Sequence, residues 1–135
     1  MDDLLATLPS HFRTVPYNGA CVPDGRHDLS QGANCQRYAY AVLAQFSIVM
    51  PPFRSSELWA DRDHSALVSE LMPLDLLLFG RHRDPYGAHV AVYAGEGRAL
   101  HLCRLVGLPA VWPVVDFQQH AQYACYIGAK RALRH

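Results

Sequence analysis

Charge is scarce in this sequence and neither sign is in excess: 12 Lys and Arg stand against 12 Asp and Glu in 135 residues. So balanced a chain has no broad field with which to gather a nucleic-acid backbone or an anionic membrane surface, and neither is expected as a partner. No apolar run reaches membrane-spanning length. The longest, around Ala39 to Met50, is interrupted by Gln45 and Ser47 and stopped by Pro51-Pro52, so membrane insertion is not expected. The start, Met1-Asp2-Asp3, is acidic and lacks the basic and apolar regions of an export signal. It predicts a protein cytoplasmic as synthesised, with a non-Sec export route left open. CxxC pairs are missing too. The four cysteines, Cys21, Cys35, Cys103 and Cys125, lie far apart, which favours reduced thiols over a disulfide framework. A zinc site from Cys35, His89, His101 and Cys103 is disfavoured because only His101-x-Cys103 has close ligand spacing.

Half of the residues are hydrophobic, enough for one compact core, and a single domain over 1–135 is expected. A short helical pattern over 2–8 is followed by a stretch rich in Pro, Gly, Asn and Asp from Pro9 to Gly32. A loop of that length in a compact domain reads as a binding loop and is expected to form part of a cleft wall. From Cys35 to Ser47, Tyr38, Val42, Leu43 and Phe46 recur at helical spacing behind Asn34, a good N-cap. Ser55 or Ser56 is placed to cap a second helix through Trp59, and Leu67 to Leu71 reads as a further helical turn. After that the pattern changes. Leu74–Phe79, Ala88–Tyr93, Ala99–Arg104, Ala110–Val115 and Tyr123–Ala129 are short β-forming or apolar runs divided by turn residues. Helices first and a meander of about five antiparallel strands afterwards predict an α+β domain with helices packed on the sheet.

Cys35 sits directly after the N-cap, where free backbone N–H groups and the helix dipole favour a thiolate. The expectation is a thiol pKa below the ordinary value and a nucleophile at neutral pH. Two histidines stand on the hairpin Gly87–Cys103. With period-2 alternation His89, Ala91 and Tyr93 share one face, as do Ala99, His101 and Cys103. A three-residue loop over Ala94 to Glu96 would place His89 directly opposite His101, whereas an even loop without a bulge would put them on opposite faces. Paired, one imidazole orients the other, and His89 serves as base to Cys35 in acyl transfer to water. Arg37, one turn into the helix, is a candidate to bind a substrate carboxylate, against the commoner outcome of a surface arginine. Asp75 reads as a strand-entry residue making local hydrogen bonds, Cys103 as a packed strand residue near the site, and Cys125 as core. His64 and His82 fall in polar stretches and are expected to be solvated. Trp59 and Trp112 are expected in the core, with a place on a substrate rim as the alternative.

Four segments, Asn34-Cys35-Gln36-Arg37-Tyr38-Ala39-Tyr40, Leu71–Phe79, Ala88–Gly95 and Ala99-Leu100-His101, resemble the NlpC/P60 family of cysteine peptidases in order, over roughly Pro16 to Phe117. The resemblance implies a papain-like core and catalytic roles for Cys35, His89 and His101. No cofactor and no metal are expected. The resemblance also implies that Tyr17 in Val15-Pro16-Tyr17-Asn18-Gly19 helps line the oxyanion site, and that the substrate is a peptide derived from bacterial cell wall. The chain departs from the family in carrying Gln36-Arg37 where Ser-Gly is usual, and Pro73-Leu74-Asp75 where Pro-Gly-Asp is usual, which bears on substrate choice. Two further readings stay open. One is an acyl hydrolase or transferase of the lecithin-retinol acyltransferase type, whose cysteine follows its histidines rather than preceding them. The other is a silent binding or phage-tail module retaining the fold.

Overall fold

A computed structural model describes residues 4–23 and 28–133. Helix α1 (Leu4–Thr7) and a 3₁₀ turn at Ser10–Arg13 lead into a loop that is not idle: Tyr17 forms a parallel bridge with Ala33, and Leu29–Gln31 is a second 3₁₀ turn. The predicted helix at 2–8 thus survives as Leu4–Thr7, its first residues lying outside the described set. Helix α2 (Cys35–Ala44) begins where Asn34 predicts, with Asn34 Oδ1 accepting from the Arg37 N–H at 2.9 Å. It buries Tyr38, Val42 and Leu43 almost completely, each such side chain contributing about 1.5–3 kcal/mol.

Helix α3 (Ser55–Ala60) starts one residue earlier than expected. Arg54 is its N-cap residue, and Ser55 lies inside the first turn with its hydroxyl bonded elsewhere.

Among the described residues six antiparallel strands follow: β1 (Ser65–Val68), β2 (Leu76–Gly80), β3 (His89–Gly95), β4 (Arg98–Leu102), β5 (Pro109–Pro113) and β6 (Cys125–Ala132), in the order β1-β6-β2-β3-β4-β5. The α+β expectation holds, with one strand more than expected. The helical turn expected at Leu67–Leu71 is in fact the edge strand β1, paired with β6 from Ser65↔Ala132 to Val68↔Ala129. A four-residue apolar stretch does not separate helix from strand by itself; the open edge of β6 decides it. No described helix is long and apolar enough to cross a membrane.

The sheet is covered on both faces. Tyr38, Val42 and Leu43 of α2 pack with Leu76, Leu78, Val90, Val92, Leu100 and Leu102 on one face. On the other, Leu77, Phe79, Ala91, Ala99 and Cys103 pack beneath Phe117 and Tyr123, which come from 3₁₀ turns at Val114–Gln119 and Ala121–Tyr123. Asp75 is buried and does what a strand-entry residue should, accepting from the Met72 N–H at 2.8 Å. It also takes a two-pronged ion pair from Arg131, at 2.8 and 2.9 Å. On β6 the register against β2 shifts between Leu78 and Phe79, and Gly128 at the shift has φ 153°. A Cβ there would lie 2.6 Å from Cη2 of Trp59 on α3. Gly128→Ala is therefore expected to cost about 2 kcal/mol or more, read as a lowered urea midpoint, because the added methyl meets the indole and the positive φ strains an L side chain.

Candidate active site

The β3–β4 hairpin decides where the two histidines point. Its loop is the two-residue turn Glu96-Gly97, with φ 54° and 74°, and Gly95 at φ 92° adds a bulge where the register shifts between Tyr93 and Gly95. The loop is even, yet the bulge restores the parity of the face. The register then runs Val92↔Leu100 and Tyr93↔Ala99, so His89 and His101 are diagonal neighbours on one face rather than directly opposite. Diagonal rings are within reach of each other. His89 Nε2 and His101 Nδ1 are 2.8 Å apart, with ring centroids at 5.0 Å and planes at 78°.

Cys35 meets this pair at the end of the sheet, where the first turn of α2 abuts the start of β3. The backbone N–H groups of Val90, the residue after His89, and of Gln36 and Cys35 itself favour the charged form of its thiol. Cys35 and His89 line one cleft of about 510 Å³, together with Tyr17, Gln36 and Tyr123. His101 stands behind His89, 1% exposed. His89 Nε2 is engaged with His101, which leaves Nδ1 as the ring nitrogen outside that pair. For Nδ1 to accept a proton, Nε2–H must donate to His101 Nδ1, and the His101 proton must then sit on its Nε2. That Nε2 is buried with no hydrogen-bond partner among the described residues, and Trp112 and Phe117 pack on the ring with centroids at 4.3 and 4.6 Å. His101 can thus aim His89 and accept from it, but it has nothing to stabilise a charge of its own.

The thiol is not the preformed thiolate expected from the helix start. Burial pushes Cys35 up to about 11, and the three backbone N–H groups recover only part of that. Burial likewise holds His89 down to about 3, and burial together with the neighbouring rings of His89 and His120 holds His101 down to about 2. Desolvation exceeds the dipole because Cys35 is buried. Burial thus favours a neutral thiol and two neutral imidazoles at this end of the sheet.

Other sequence candidates divide. Tyr17 does line the cleft, its phenol held protonated first by burial and then by the nearby Cys35. Arg37 does not line it. The Arg37 guanidinium turns to the Val22 and Pro23 carbonyls at 3.4 and 3.5 Å, on the outer side of α2, because Cys35 and Gln36 already occupy the cleft side of the first turn. The loop is a cleft wall through Tyr17 and Gly19, but Cys21 packs inward with its sulfur 3.9 Å from the Gln31 carbonyl. Cys103 is buried beside the site, whereas Cys125 is half-buried at the edge of the core. His82 is exposed but lines the cleft, and His64 pairs with Asp61 at 3.4 Å. His27 and His135 lie outside the described residues. Trp59 packs on Gly128, and Trp112 lies between His101 and His120 instead of at the rim.

Two contributors carry no sequence signal of their own. Gln36 is buried, accepts from Asn34 Nδ2 at 2.7 Å and donates to the Ala88 carbonyl at 3.5 Å, so it fastens the cysteine helix to the residue before His89. Tyr123 stacks on His89 at 4.5 Å and 28°, and it packs in the same cluster as Cys103. It sits 34 positions beyond His89 in the chain, and only the return of the chain after β5 brings it there.

The fold is that of the NlpC/P60 domains. No protein-family model matches the sequence, and no curated protein is significantly similar to it. Solved structures are. The NlpC/P60 domain of the peptidoglycan hydrolase SagA superposes with a TM-score of 0.58 at 22% identity, covering 92% of both chains. An NLP/P60 protein described as similar to a lipoprotein, from Staphylococcus aureus, gives 0.64 at 20% identity over 93% of this chain and 39% of its own. The peptidoglycan hydrolase RipB of Mycobacterium tuberculosis gives 0.58 at 22% identity over 91% of this chain and 60% of its own. The chain thus spans less than two thirds of the length of the latter two.

Proposed function

We propose that this protein is a cysteine hydrolase that cleaves amide bonds in peptides derived from bacterial cell wall. The observation that carries the reading is that Cys35 and His89 line one cleft while His101, buried behind His89, is paired with its ring at 2.8 Å. Cys35 is the nucleophile. As it attacks the carbonyl carbon, His89 Nδ1 takes the thiol proton, and His101 keeps the ring in the accepting tautomer by receiving Nε2–H. The backbone N–H groups at the start of α2 face the developing oxyanion, with Tyr17 beside them, and one such donor is typically worth about 10²–10³-fold in rate. His89 returns the proton to the departing amine, which leaves a thioester on Cys35. Water, deprotonated by the same imidazole, then releases the acid.

Peptidoglycan as substrate class is supported by what the neighbours SagA and RipB are named for. Incubation with purified muropeptides should yield fragments separated at one amide bond, the pair together heavier than the parent by one water in mass spectrometry. Stem peptides that stay intact through prolonged incubation would overturn the cell-wall assignment.

A further inference from the structure

The cleft carries charges that the path from Cys35 through His89 to His101 does not use. Arg54, Arg81 and Arg104 line it, and Asp84 is the one carboxylate among its described lining residues. In a chain whose basic and acidic residues balance at 12 each, this is a local positive excess placed on the cleft with the thiol. The guanidinium groups come from two walls. Arg54 immediately precedes α3 and Arg81 follows β2. Ser55 joins these elements by donating to the Pro85 carbonyl at 2.7 Å and accepting from the Ala88 N–H at 3.1 Å. Arg104 follows β4, in a loop held to the other wall by the Tyr17 N–H, which donates to the Gly107 carbonyl at 2.8 Å. The charge of Arg54 reaches the Cys35 thiol, and that of Arg104 reaches the Tyr17 phenol.

Arg81 and Arg104 have no side-chain hydrogen bond or ion pair among the described residues. A guanidinium presented in a concave site without an internal partner offers a planar fork that fits a carboxylate with two parallel bonds. Arg37, by contrast, is turned to loop carbonyls and lies outside the cleft. Asp84 on the Arg81 wall disfavours a polyphosphate and suits a peptide that carries an amine as well as acids.

We propose that Arg54, Arg81 and Arg104 form a carboxylate-reading rim, which makes the cleft selective for acidic peptides whose carboxylates near the reacting amide are free rather than amidated. The peptide part of this inference rests on the hydrolase reading above; the anion part does not. The test therefore has two arms. In the first, Cys35 is alkylated with iodoacetate and with iodoacetamide, reagents of the same chemistry that differ in charge. The iodoacetate-to-iodoacetamide rate ratio should exceed that of a small free thiol by about tenfold at low salt, and fall toward it in Arg81→Gln, in Arg104→Gln and on adding salt. A ratio at the free-thiol value, or one that neither variant moves, overturns the rim. In the second arm, matched wall peptides with a free or an amidated side-chain carboxyl are compared. The free acid should have a KM about tenfold lower, and the preference should collapse in both variants. Equal KM values overturn the selectivity. A protein that cleaves neither peptide yet keeps the elevated alkylation ratio sinks the hydrolase reading and leaves the anion-binding rim standing.

Discussion

Cys35→Ala is expected to lower turnover of a cleavable wall peptide by about 10⁴-fold or more, measured by initial rates, while changing folding stability by no more than about 1 kcal/mol. The substitution removes only a sulfur from a position that already tolerates being uncharged, so the helix start and its Asn34 cap stay as they are. His89→Ala should cost a similar factor, because it removes the ring proposed to take the thiol proton. Residues that act as one unit do not add, so the double variant should be no slower than the slower single one. His101→Asn, which keeps a hydrogen-bond acceptor for His89 Nε2, should lose about 10²-fold or less. A Cys35→Ala protein that still turns over peptide at more than a hundredth of the native rate would sink the assignment.

Acidification should unfold the protein much earlier than its carboxylates alone would require. His89 and His101 are 8% and 1% exposed, and burial depresses both to about 3 and about 2 from an ordinary 6.5. Below 6.5 the unfolded chain binds protons at these two positions and the folded chain does not. Stability is thus full above that pH and is lost as pH falls toward 3. Each such group contributes about 1.36 kcal/mol per pH unit, so the pair gives a slope of about 2.7 kcal/mol per unit. For a total near the low end of the typical range of about 5–15 kcal/mol, this brings the unfolding transition to between about pH 4 and 5. Urea midpoints between about pH 4.5 and 7.5 measure the slope, and His101→Leu should halve it. A native stability flat across that range would show that the buried rings take up protons without cost. The two effects share one cause, since the dry environment that keeps the imidazoles neutral and able to accept a proton also makes their protonation incompatible with the fold.

Much of this was legible in the residues. Asn34 followed by a helical apolar period placed α2 and with it Cys35 at a helix start. Alternation through Val90, Ala91, Val92 and Ala99, Leu100, Leu102 placed the hairpin, and with it both histidines on one face. The route to that face was not legible. An odd loop and an even loop with a bulge give the same parity, and choosing between them requires knowing that Glu96 as well as Gly97 accepts a positive φ. Strand β1 was missed because its four residues become a strand only against β6. The thiol pKa was misjudged because a helix dipole can be read from position, whereas burial comes from residues distant in the chain.

What the sequence determined by itself is therefore local and periodic: where elements start, which side chains share a face, and which residue types could trade a proton. Tertiary structure alone decided the rest. It turned Arg37 outward, stacked Tyr123 on His89, fastened Gln36 to the Ala88 carbonyl and brought Arg54, Arg81 and Arg104 to one cleft. The reason is physical, because caps and alternation act over a few residues, whereas burial and convergence depend on segments tens of residues apart whose approach no local pattern encodes.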